Sequence, residues 1–230
     1  MSMPVGNEAV LHRVSFSEAK PGVYWHVYSR RYSPTSSNPL SRARLAWCDG
    51  SHAMFYTGKT PAAALWETVL RYAAVDDGCV YAHPAHLQNM TLARLTLTVS
   101  ARAIDLRAPY RRQVVDAGSD LDAVWEKVLR EPDHEKTHDF TAGIMKHLAD
   151  KGHPDGPALM WHSRQAGAET ATLFFEPPMQ SSWWRHEPHD LYPLDEPEGE
   201  HQILLALAAQ GLRWRGSPSG NEFDPPVGVN

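Results

Sequence analysis

Apolar and polar positions change period several times along this chain, and each change predicts an element. Residues 23–28 (VYWHVY) are aromatic and β-branched, the mark of a buried strand. Residues 33–41 are rich in Pro, Ser and Asn and predict a loop. A second short strand is expected over 53–57, after the turn signal Asp49-Gly50. Thr60 can cap a helix and Pro61 suits its first position, so a helix is predicted over 62–74. Residues 92–99 alternate like a half-buried strand, and 103–106 continue that sheet. Helical spacing returns over 121–129 and 140–150, the second stopping near Gly152. Two more strands are expected over 158–162 and 171–176, and a last helix over 202–210 closes at Gly211. The pattern is α+β, with short scattered strands and a loose run past Arg215.

Composition narrows the class. Hydrophobic residues make up 42% and charged residues 21%, which is globular and not disordered. A chain of 230 residues can bury roughly 70% of the surface its unfolded form exposes, so it needs no staples. The net charge of −5 argues against direct nucleic-acid binding, which calls for a basic footprint. Cys48 and Cys79 form neither a CxxC pair nor a disulfide framework. Residues 1–10 lack a basic-then-apolar leader, and the longest apolar run, 203–209, falls far short of the roughly 20 residues of a membrane span. The expectation is one domain over 21–216, between an N-terminal segment (1–20) and a flexible tail (217–230). It is expected in a reducing, cytoplasmic setting, away from membranes.

Thirteen histidines invite a metal hypothesis. His134-Glu135-Lys136-Thr137-His138 matches H-E-x-x-H, in which two imidazoles on one helix face hold zinc and the glutamate activates water. Pro132 and Asp133, however, put the string at a helix start or in a loop, Lys136 places a charge where such helices are apolar, and no third ligand stands at a usual spacing. The string reads as a solvated polar stretch, and no metal is expected there. The pairs His83/His86 and His186/His189 read as surface residues. A metalloprotease is thus only a distant alternative.

A third constellation is spread along the chain. Arg44 stands on a predicted loop, Tyr56 on the second strand and Glu67 on the predicted helix. On the helical wheel Leu65, Trp66, Val69, Leu70 and Ala73 form the apolar stripe, and Glu67 falls just outside its edge, where a carboxylate can face a cleft. Each residue alone also has an ordinary reading in packing or solvation.

Residues 38–71 (NPLSRARLAWCDGSHAMFYTGKTPAAALWETVLR) resemble the RES domain family, in which an arginine precedes a Gly-containing turn, a Tyr strand end and an A-x-x-E helix. Arg44, Tyr56 and Ala64-Leu65-Trp66-Glu67 fit that order. Residues 138–175 resemble the family's second block: a helix, Asp155-Gly156, a strand, Ser163 in HSRQ and a closing strand. The resemblance spans roughly residues 22–176. Where the family has an arginine in a Y-R-[IV] setting, this chain has His26, with Arg30 and Arg31 nearby. A first-strand histidine is similar to the one that holds a ribose of NAD in diphtheria-toxin-like ADP-ribosyltransferases.

The resemblance implies an ADP-ribosyltransferase-like fold, with short mixed and antiparallel strands in a central pair of sheets flanked by helices. It implies a toxin of a toxin–antitoxin pair that cleaves the nicotinamide–ribose bond of NAD+, as a glycohydrolase or phosphorylase. NAD+ is then substrate, and no cofactor is expected. Glu67 would stabilise cationic character on the ribose, Arg44 would grip the pyrophosphate, and Tyr56 would face the nicotinamide, with Ser163 and His26 bonding a ribose or the amide. No G-x-S-x-G surrounds Ser163 and no G-x-G-x-x-G is present, so neither a serine hydrolase nor a Rossmann domain is expected. The expected partner is a separate helix-turn-helix (Xre-like) antitoxin chain. A homodimer is a further expectation, with Trp183-Trp184 either a contact surface or buried. The alternatives are an ADP-ribosyltransferase acting on a host protein and, more remotely, an inactive NAD-binding or interaction module.

Overall fold

The computed structural model describes residues 10–215. The expected tail from 217 onward lies outside the described residues. Strands β1 (Ser17–Ala19), β2 (Gly22–Ser29) and β3 (Ala53–Gly58) precede helix α1 (Pro61–Trp66). A small hairpin follows, β4 (Ala74–Asp76) and β5 (Cys79–Tyr81), then the single turn α2 (Pro84–Leu87) and strands β6 (Met90–Leu97) and β7 (Ala101–Asp105). Helices α3 (Asp120–Arg130) and α4 (His138–Asp150) lead to β8 (Ala158–His162) and β9 (Thr170–Glu176). The chain closes with β10 (Trp184–Arg185), β11 (Leu191–Pro193), α5 (Pro197–Ala208) and β12 (Arg213–Trp214).

The fold is α+β. A nine-stranded sheet runs β1-β7-β8-β9-β3-β2-β6-β10, with β11 also on β6, and a three-stranded sheet runs β12-β5-β4. Among the described strands of the large sheet only β7 and β8 are parallel, joined through α3 and α4, so the sheet is mixed. It is also curled. Ala19 and Ala101, from β1 and β7 at one end, share a hydrophobic cluster with Leu95, Leu97 and Trp184 from β6 and β10 at the other. Strand twist brings the ends together and makes one face an inner, aromatic core of Tyr24, Phe55, Phe174 and Trp184. Trp184 is therefore buried, while Trp183 is only partly covered. The expected central pair of sheets is instead one large curled sheet with a small satellite.

The outer face is covered by helices in two groups. Helices α3 and α4 pack Trp125, Val128, Phe140, Ile144 and Leu148 on Met54, Leu159, Leu173 and Phe175. Helices α1 and α5 pack Leu65, Trp66, Ile203 and Leu207 on Val27 and Leu92, with Val80 and Trp214 of the small sheet in the same cluster. Leu11, ahead of the expected domain start, is fully buried in the first of these clusters, and β1 is an edge strand of the large sheet.

Three expectations need correction. The helix predicted over 62–74 ends at Trp66. Thr68 turns its hydroxyl back to the Ala64 carbonyl at 2.6 Å, and Leu70 bonds the Leu65 carbonyl, so the chain tightens into turns and Glu67 becomes the C-cap. Strands β4 and β5 flank Asp77-Gly78, a hairpin signal in a stretch assigned to helix or left open; Asp77 (φ 44°) and Gly78 (φ 68°) both adopt the left-handed conformation such a turn demands. The last helix starts at Pro197, five residues before the expected 202, because Pro fits its first turn.

Candidate functional site

The site is built where the two helical groups leave a seam over the sheet. At the start of α1, Thr60 accepts a hydrogen bond from Ala63 N, and Pro61 needs no donor there. Gly58 lets β3 run directly under this turn: a Cβ there would lie 2.5 Å from the Ala64 nitrogen. The short helix thus delivers Glu67, half-buried, to the seam. Its Oε1 accepts from Ser163 Oγ at 2.6 Å, a length typical of a hydroxyl on a charged acceptor. Ser163 is buried, and its Oγ in turn accepts from Ala166 N at 3.1 Å. Oε2 of Glu67 takes no hydrogen bond among the described residues.

Tyr56 stands on β3 beside Leu173 of β9, its ring edge-on to Trp161 at 6.5 Å. Its hydroxyl donates to the Arg44 carbonyl at 3.0 Å. Burial pushes the phenol well above its ordinary range, with the charge of Glu67 acting in the same direction, so it remains a donor. Arg44 is buried at 2% exposure. Its Nη1 donates to the carbonyls of Val128 and Leu129 and its Nη2 to that of Glu131, which satisfies the open end of α3; Nε has no partner among the described residues. Burial lowers its pKa, and the carboxylate of Glu67 is the strongest charge opposing that shift.

The H-E-x-x-H string holds this arrangement from behind. His134–Thr137 is a 3-10 turn capped by Asp133, running into α4. Glu135 and Lys136 are solvated as expected, but Thr137 is fully buried: Thr137 Oγ1 accepts from Leu45 N at 2.8 Å and Thr141 Oγ1 donates to Leu45 O at 2.9 Å. Leu45 sits at φ 58°, a left-handed conformation costing a branched residue roughly 1–2 kcal/mol, and the two threonines pin it there. His138 bonds the Ala43 carbonyl through Nε2 at 3.1 Å and faces Cys48 Sγ through Nδ1 at 3.6 Å. His134 is half-buried, and its pKa is lowered to about 4 by burial and then by the charges of Arg44, Arg71 and Arg164. Among the described residues no three His, Cys, Asp or Glu side chains are grouped to hold a metal ion.

The structure therefore brings Glu67 and Ser163 into contact and sets Arg44 and Tyr56 beside them. His26 is elsewhere. Its ring stacks on Phe55 at 4.3 Å and on Tyr28 at 6.0 Å, on the inner face, while the Tyr56 side chain points to the outer face. Among the described residues its only link to the site is Nδ1–H donating to the Tyr56 carbonyl at 2.6 Å, and burial lowers its pKa to about 4. Arg71, Arg164 and His134 were not among the expected site residues. Two of them stood close in sequence: Arg164 follows Ser163, and Arg71 lies four residues past Glu67.

A family model described as the RES domain matches residues 11–195. No curated protein and no solved structure was found to match.

Proposed function

The chain belongs to the RES domain family, and on that premise we propose that it consumes NAD+ by cleaving the bond between nicotinamide and ribose. In this reaction the C–N bond breaks with its electron pair going to the pyridinium nitrogen, so nicotinamide leaves neutral. An acceptor oxygen, from water or phosphate, bonds to the anomeric carbon and gives its proton to solvent. The transition state carries positive charge on the ribose, as in other glycosyl transfers, and a fixed carboxylate stabilises it.

One observation carries the reading: Ser163 fixes Glu67 through one oxygen and leaves the other without a partner among the described residues. A carboxylate locked in one rotamer, with a free oxygen, can accept a ribose hydroxyl and face the developing cation without reorganising. Tyr56 is held by the Arg44 carbonyl, which leaves its ring as a flat face for nicotinamide. The Arg44 charge lies behind Glu67 and keeps the loop in place. NAD+ is substrate in this scheme, and no resident cofactor is required. Because such an activity harms its own cell, it calls for a separate chain that blocks the site, for which a helix-turn-helix antitoxin is the family's expected form.

The test follows nicotinamide release and NAD+ loss with purified wild type and Glu67→Gln, in water and in phosphate buffer. Wild type is expected to consume NAD+, with Glu67→Gln slower by about 10²–10³-fold, the size of effect seen when one preorganised electrostatic group is lost. NAD+ left intact by wild type in both buffers ends the reading.

A further inference from the structure

Arg44, only 2% exposed, turns Nη1 and Nη2 onto the end of α3, which leaves the anionic part of any dinucleotide without its expected grip. Two other arginines stand at the Glu67–Ser163 contact. Arg71 lies in the turn following Glu67, and Arg164 is next to Ser163. The two turns are tied a second time by Gln165 Nε2, which donates to the Arg71 carbonyl at 3.1 Å. Whereas Arg30, Arg107 and Arg111 are each neutralised by carboxylates, neither of these guanidinium groups has an ion pair or hydrogen bond among the described residues. Arg71 only lies against the Tyr72 ring, 4.7 Å from its centre, and Arg164 is exposed. Across the seam the His134 imidazole also makes no hydrogen bond among the described residues. The charges of Arg44, Arg71 and Arg164 all act on it against its protonated form, in a seam whose carboxylate is Glu67.

Resting on the function proposed above, we infer that Arg71 and Arg164 clamp the pyrophosphate of the dinucleotide, with His134 the third polar group of that subsite and Arg44 a positioning residue behind it. Guanidinium groups suit this task because each offers two parallel donors to phosphate oxygens. An anion between them also relieves the mutual repulsion of the cations, and its field favours the protonated form of His134.

Calorimetry with the full chain tests the clamp, using ADP as the probe, since it carries the pyrophosphate and no bond the enzyme could cleave. Arg71→Ala and Arg164→Ala are each expected to weaken ADP binding about 10-fold, with lysine at either position restoring part of the loss, while Arg112→Ala, at an exposed position outside the seam, changes nothing. In the wild type, ADP is expected to move the titration of the His134 ring signal to higher pH. ADP affinity unchanged in both alanine variants overturns the inference. So does inorganic phosphate binding as tightly as ADP, which would make the clamp a site for free phosphate. The two readings fail separately. NAD+ cleavage with an unaltered KM in both variants removes the clamp and leaves the function, whereas ADP binding through both arginines without any NAD+ cleavage removes the function and leaves the clamp.

Discussion

Phe55 and Tyr56 are neighbours on β3 and look to opposite sides of the sheet, and the two sides run on different physics. On the inner side Phe55 meets His26, Trp184 and Phe174 in an aromatic core. Among the described residues the one polar link made there by His26 is its hydrogen bond to the Tyr56 carbonyl, and its Nε2 is buried without a partner. On the outer side Tyr56 joins Arg44, Glu67 and Ser163, where hydrogen bonds lock some groups and leave others free. A polar residue on the inner side is packed among rings; on the outer side the same kind of residue is fixed by side-chain hydrogen bonds at a seam. One step along a strand separates the two, because side chains alternate between faces.

The sharpest way to break this comparison is to unlock the outer side. Arg44→Met strips three carbonyls near the end of α3 of their donor, and at ~1–3 kcal/mol for each buried group left unpaired it should destabilise the fold by about 3 kcal/mol or more in urea unfolding. A stable Arg44→Met protein with only a raised KM for NAD+ would instead make Arg44 a ligand residue. Next comes acid. The His26 imidazole titrates near 4 in the fold against 6.5 unfolded, so the unfolded chain binds more protons below that value. Stability should be complete above pH 6.5 and fall as pH drops towards 4, by about 3 kcal/mol from His26, with a smaller share from the more solvated His134. Urea midpoints equal at pH 7 and pH 4.5 would contradict the buried, neutral inner histidine.

His26→Leu should cost ~1–3 kcal/mol, since the Tyr56 carbonyl loses its donor, while KM for NAD+ stays the same. A higher KM at unchanged thermal stability would move His26 to the ligand side, as the family resemblance expects. Smallest is Thr137→Val, which leaves the buried Leu45 amide unpaired at its left-handed position. A loss of about 1 kcal/mol, or roughly 2–4 °C in Tm for a chain of this size, would place Thr137 in the clamp behind Arg44.

Strands β2, β3, β6, β8 and β9 were readable because their long apolar runs carry period and composition together. The short strands β10 and β11 were not, since two or three residues hold no period and their pairing with β6 comes only from sheet closure. Glu67, Ser163, Arg44 and Tyr56 are picked out because their order in the chain resembles that of the RES family. That Glu67 caps a six-residue helix instead of riding a longer one was hidden, because Thr68 and the packing against β3 stop the helix where propensity would continue it. The H-E-x-x-H string misleads for a similar reason: residue types fix what a side chain can bond, and only its surroundings fix what it does bond. Here they are the backbone of Leu45 and Ala43.

By itself, then, the sequence determined the α+β class and the principal strands, since periodicity and side-chain type are local properties, and its resemblance to the RES family picked out candidate residues. Tertiary structure alone decided which of them meet. The curl of the sheet turned His26 inward, the end of α3 claimed Arg44, and two turns distant in the chain brought Ser163 to the Glu67 carboxylate. Those outcomes depend on long-range contacts, which no local pattern encodes.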